Sequence, residues 1–233
     1  MNMKLPWFRR GRGKSIGQSL VEFTVLLPVL LVMISGLIEF GFMLNYYLDL
    51  IDAAREAARW ASDGDPIRDP NTQAYTDPNT FFYRNVQTLT KESLMAASDG
   101  RIDWIDDLAD ITDNDDDDCA ITINGGNDIV ISAFGIRNNA GSPVVDKRFP
   151  VASGESGVSL CNHRVSALTS AEIEARLNPG APTSGLVLVE VFYDYHQIMA
   201  LPWITVFVPD PIQLHAYTIM PNSAVEPTPT TPP

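Results

Sequence analysis

The residues of this chain with the most chemistry to account for are two carboxylates in an apolar setting. Glu22 stands at the start, and Glu39 inside, of a run from Phe23 to Leu44 that holds no other charge. An acid at mid-bilayer depth costs on the order of 2.5–3.5 kcal/mol on insertion scales, so each calls for a partner or a role. For Glu39, near the exit of the run, the plainer reading is a place at the interface where the carboxylate reaches water. A second acidic feature is the run Asp113-Asn114-Asp115-Asp116-Asp117-Asp118. Its hard oxygens suit calcium, with Asp113, Asp115 and Asp117 as the candidate ligands. The glycine and distal glutamate of an EF-hand loop are missing, however, and a solvated, self-repelling loop is the favoured reading. His163, His196 and His215 lie far apart without ligand spacing or a partnered nucleophile. Gly11-Arg-Gly13-Lys14-Ser15 lacks the spacing of a phosphate loop. No catalytic residue is assigned, no resident cofactor is expected, and the chain reads as a non-enzyme.

These acids are positioned by what surrounds the apolar run. Lys4, Arg9, Arg10, Arg12 and Lys14 precede it with no acid among them, and this bias predicts the N-terminus in the cytoplasm and the remainder outside. The 22 residues from Phe23 to Leu44 make a helix of roughly 33 Å, enough for a hydrocarbon layer of about 30 Å. The residues around its end, Phe40 to Tyr47, are too bulky for the small-x-small site of a secretory signal. Leu48, Ile51, Ala54, Ala58 and Ala61 continue at helical steps, with Asp52, Arg55, Glu56 and Arg59 mostly on other faces. One helix is therefore expected over 18–62, embedded to about residue 44, bent or loosened at Pro28 and stopped by Gly64-Asp65-Pro66.

Counted from Gln18 as the first residue after Gly17, Glu22 is the fifth and Phe23 the sixth. This resembles the processing site of type IV prepilins, and more closely its tight-adherence (Tad) branch, in which a glycine precedes the cut and a Glu-Tyr pair follows. Phe23 keeps the aromatic ring of that tyrosine and lacks its hydroxyl. With Pro28 to Gly41 and Asp52-Ala-Ala-Arg55-Glu56-Ala-Ala-Arg59 added, the segment resembles the TadE-like family of pilus-assembly pseudopilins. Gly185 to Tyr193 and Ile212 to Met220 resemble the family's closing strands more distantly. The resemblance implies cleavage after Gly17 by a prepilin peptidase, where the absent side chain admits close backbone approach. It also implies contact with other pilin or pseudopilin subunits through the N-terminal helix. The ammonium freed at Gln18 and the Glu22 carboxylate of a neighbour would be opposite charges in lipid, costly apart and far less so together. Their pairing would set the axial register between helices, as a buried polar residue does in a coiled coil.

The net charge is −13, and without the five leader cations 11 basic residues face 29 acidic ones, a net near −18. Such a domain repels phosphates, which argues against nucleic acid. Cys119 and Cys161 both fall beyond the apolar run, an even count that suggests a disulfide in an oxidising compartment. Closing that loop of 42 residues would stabilise by roughly 4 kcal/mol in the chain-entropy model.

The fold class expected is α+β: a long N-terminal helix of pilin shape, then an extracytoplasmic domain over 63–220 with short helices and an antiparallel sheet, then a Pro/Thr-rich unpacked tail over 221–233. Helices are predicted over 79–97 and 101–110, with a shorter one from the capping box Thr169-Ser-Ala-Glu172 to about Leu177. Strands are predicted over 119–123 and 128–134 around an Asn124-Gly125-Gly126-Asn127 turn, then 144–149, 186–195 and 212–220, with Leu201 to Val208 apolar between the last two. Two functions fit. One is a minor subunit of a Tad-type pilus, held in the cytoplasmic membrane by lipid and serving filament initiation, capping or assembly, with the cell-surface pilus as its destination. The other is an uncleaved single-pass protein whose acidic domain binds a partner or calcium.

Overall fold

The computed structural model describes residues 16–68, 80–99, 102 and 126–227. Its first element, α1 (Ile16–Asp63), runs unbroken for 48 residues through Pro28, a length of about 72 Å. It begins two residues earlier than the periodicity indicates. Over its second half Leu50, Ala53, Ala54, Ala57, Ala58 and Ala61 are each no more than 1 % exposed. The buried face is thus rotated from the one read off the sequence, and Leu48, assigned to it, is half exposed. The reason is steric: alanines let the helix axis come close to two neighbours at once, so its deepest line follows the small residues.

The first neighbour is α2 (Thr80–Ala97), whose Phe82, Tyr83 and Val86 pack on Ala57, Ala58 and Ala61. A Cβ at Gly64 would lie 2.6 Å from the Phe82 ring, so glycine at the end of α1 is demanded by packing. The end is capped from far away in sequence, by the Asn222 amide, which donates to the carbonyls of Ala61 and Gly64 at 2.8 Å. Asp65 then closes the turn, accepting from the amides of Ile67 and Arg68 at 2.9 Å.

The second neighbour is an antiparallel sheet made of β1 (Asp128–Asn139), β2 (Ser142–Phe149), β3 (Val158–Ser159), β4 (Ser184–Tyr195) and β5 (Ile212–Pro221). Its order is β2-β1-β4-β5, with β3 paired to the first half of β1 beside β2. Register sets the two faces. Ile129↔Val191 and Ile131↔Val189 point to α1 and α2, while Phe134↔Leu186 and Ser132↔Leu188 point the other way. The far face is covered by α3 (Ser170–Arg176), through Ile173, and by Leu168. Burial on both sides explains why β1 and β4 are nearly continuous apolar runs and do not alternate.

The expected α+β class holds, with local differences. β1 continues through Arg137 to Asn139, five residues beyond the expected strand end at 134. The turn itself is Ala140-Gly141, with φ 53° and 92°. Positive φ at both central residues is what a two-residue hairpin needs to match strand twist. Arg137 and Asp146 clasp the hairpin across the strands at 3.1 Å. α3 starts with the expected capping box: Thr169 Oγ1 accepts from the Glu172 amide, and the Glu172 carboxylate accepts from the Thr169 amide at 2.8 Å. The bonds that the Thr169 amide and hydroxyl donate to its carboxylate hold Glu172 below the usual carboxylate range. The apolar stretch after β4 carries only a single helical turn, α4 (Pro202–Thr205). Packing also extends past residue 220, since Val225, in a 3-10 turn over Ser223–Val225, is 3 % exposed. Apart from Ile102, the expected helix over 101–110 lies outside the described residues, as do the strand over 119–123, Asp113, Asp115, Asp117 and Cys119, so the Cys119–Cys161 bridge and the calcium loop stay proposals.

Candidate functional site

Along the first half of α1, from Leu20 to Phe40, the side chains stand clear of the domain, with Leu26, Met33 and Leu37 64–72 % exposed. This helix is long and apolar enough to cross a membrane. Two side chains in it are buried, and both are polar: Ser35 and Glu39, each 6 % exposed. Four residues apart, they share one helix face.

What buries them is the segment between β4 and β5. Tyr195, the last residue of β4, donates its hydroxyl to Glu39 Oε1 at 2.6 Å. The next turn brings two backbone amides to the same carboxylate, Ile198 to Oε1 and Met199 to Oε2, both at 2.9 Å. One turn down α1, the Trp203 indole N–H donates to Ser35 Oγ at 3.1 Å, and the Ser35 hydroxyl donates to the Val32 carbonyl at 3.0 Å. A carboxylate with three donors is a satisfied buried anion, each bond being charge-assisted. Burial first, and then the bond to Glu39, push the Tyr195 hydroxyl above the ordinary tyrosine range, which keeps it protonated as a donor.

Aromatic packing continues this seam upward. Tyr46 of α1 stacks on Tyr193 at 5.8 Å between centroids and meets Tyr195 edge-on at 5.3 Å. Burial pushes the Tyr193 hydroxyl up to about 12. The loop is clamped at its base: the Gln197 amide and the His196 ring both reach Asp210 Oδ1, and the Gln197 side chain donates to the carbonyls of Val208 and Pro209. At its tip Ile198, Trp203, Val206 and Phe207 are 42–85 % exposed.

The other sequence candidates are not drawn to this site. Glu22 and Phe23 are exposed on α1, 17 and 16 positions before Glu39 and so about 25 Å away along the axis. Gly17 and Gln18 form part of the first turns of α1. The three histidines stay apart. His215 stacks between Phe192 and Tyr217 and meets the buried Glu190 at 3.1 Å, while His196 pairs with Asp210. Among the described residues no group of three or more His, Cys, Asp or Glu side chains could hold a metal ion.

A further polar centre went unread in the sequence. Asp128, fully buried at the start of β1, accepts from the amides of Ile129, Leu160, Cys161, His163 and Arg164 and from the Ser159 hydroxyl, at 2.6–3.1 Å. It organises the 158–164 strap as a helix N-cap organises a first turn, and it serves structure. Ser35, Tyr195 and Trp203 were missed as well. The one sequence signal for them was an uncharged stretch with tryptophan, Gln197 to Pro209, inside a strongly acidic domain.

Residues 17–59 match the family model described as TadE-like protein. The interval begins at Gly17, contains Glu22, Ser35 and Glu39, and ends within the packed half of α1. It agrees with the resemblance carried by the N-terminal residues, and it supports a pilus-associated, pseudopilin-like protein of a structural family. No match was found among curated proteins or among solved structures.

Proposed function

We propose that this chain is a minor subunit of a Tad-type pilus assembly system, inserted in the cytoplasmic membrane through α1 with its domain outside, cut after Gly17 and acting in filament initiation, capping or assembly. The observation that carries the reading is the division of α1. Its first half presents apolar side chains on all faces but the one holding Ser35 and Glu39, its second half is the central strut of a bulky domain, and the family match spans most of both. Such a helix can sit in lipid and later pack among the helices of other subunits without unfolding the domain it carries. Cleavage adds water across the Gly17–Gln18 peptide bond and leaves an ammonium on Gln18, four positions before Glu22. Side-by-side subunits then gain an ion pair in a low dielectric. A domain this large suits a tip or base better than every position of a thin shaft.

N-terminal sequencing of the protein from native membranes tests the cleavage. Gln18 is the expected first residue, and Gly17→Leu should give a chain longer by the 17-residue leader; Met1 as the first residue of the wild type would favour an uncleaved bitopic protein. Glu22→Ala is expected to leave insertion and cleavage intact and to abolish co-purification with other pilus components. Undiminished co-purification would sink the role given to Glu22.

A further inference from the structure

We propose that the loop between β4 and β5, residues 197–209, is a second membrane contact: its tip inserts into the outer leaflet beside α1, so that the domain rests on the bilayer and is not carried above it on a stalk. The inference rests on the reading of α1 as a membrane span.

The first support is height. The loop is fastened to α1 at Ser35 and Glu39, the level at which Leu37 and Phe40 of the same helix are 72 % and 55 % exposed. Whatever covers those helix residues also meets the loop. The second is composition. The 13 residues from Gln197 to Pro209 carry no charge, and Val206 and Phe207 are 75 % and 85 % exposed. On a chain whose residues after the leader carry a net charge near −18 this patch is out of place in water.

The third support is backbone satisfaction, which hydrocarbon demands and water does not. The amides of Ile198 and Met199 are bound by Glu39. Those of Ile204 and Thr205 reach the Leu201 carbonyl, and those of Phe207 and Val208 reach the Ile204 carbonyl. The carbonyls of Val208 and Pro209 are taken by Gln197. Val206 and Phe207 therefore present their side chains outward while these amides and carbonyls bond within the protein, and the His196–Asp210 pair stays at the base.

Length agrees. Leu20 to Ile38 is 19 residues, about 28 Å of helix, which already fills a hydrocarbon layer of about 30 Å. The outer boundary then falls near Glu39 and not near Leu44, and Trp203 occupies the interfacial belt that indoles favour. Glu39 becomes the seam between span, domain and lipid, its charge enclosed by protein donors.

The test uses the full chain in vesicles of phosphatidylcholine and phosphatidylglycerol, with a benzophenone amino acid placed singly at Phe207, at Met33 on the span, or at exposed Ala175 on α3. Lipid adducts are expected from 207 and 33, with none from 175. Lipid adducts at 33 but not at 207 overturn the loop insertion while leaving the span intact. None at either position overturns the span reading and this proposal with it. A 207 adduct to a second copy of the chain assigns the patch to a protein interface and equally overturns the proposal.

Discussion

Glu39→Ala is expected to loosen the domain from the shaft of α1, lowering stability by about 3–5 kcal/mol and the unfolding midpoint by roughly 10 °C. The substitution strands three donors: the Tyr195 hydroxyl and the amides of Ile198 and Met199. Hydrogen bonds to a charged group contribute about 1.5–3 kcal/mol each, and shared acceptors are not additive, which sets the range. Tyr195→Phe removes one donor and its bond together, so a loss of about 1–2 kcal/mol is expected. Glu39→Gln keeps one acceptor oxygen and should fall between the two. Thermal unfolding of the full chain in detergent, with protease sensitivity of the 196–211 loop as a local readout, measures all three. An Ala variant with unchanged midpoint and loop protection would show that the carboxylate does not hold helix and domain together.

Asp128→Ala is expected to be at least as damaging, at about 5 kcal/mol or more, a size reserved for a short list of mechanisms that includes stranding buried polar groups. Six donors converge on this carboxylate, five of them backbone amides that cannot turn toward water without unravelling the 158–164 strap. The strap carries β3, whose loss would uncover the edge of β1. Asp128→Asn retains one of the two oxygens and should recover part of the stability. Hydrogen exchange separates the local effect from the global one: the amides of Leu160, Cys161, His163 and Arg164 should exchange far faster in the Asn variant while β4 amides keep their protection. Unaltered protection of those four amides would overturn the assignment.

The two residues differ in how far the sequence disclosed them. Glu39 was visible as an acid in an apolar run, and its oddity could be stated as an energy before any fold was known. Its satisfaction could not, because the donors lie 156–160 positions away. Asp128 looked like an ordinary strand start, since nothing in a lone aspartate says that five amides will close on it. The rotated face of α1 has the same origin. Periodicity marks which residues are apolar, but whether Leu48 or Leu50 faces inward depends on where α2 and the sheet lie.

Determinants that act over a few residues were therefore legible in the sequence: the basic leader and apolar run, the helix continuing past it, the Thr169–Glu172 capping box and the β-branched strands β4 and β5. So was the Gly17 to Arg59 likeness that the family match repeats. Each follows from propensity, periodicity or spacing, which the chain carries locally. Tertiary structure alone decided that Asn222 caps α1, that Asp128 gathers a strap, and that the β4–β5 loop closes over Ser35 and Glu39. In each case a polar group must find donors or acceptors from a distant part of the chain, and a side chain's chemistry states that need without naming the partner.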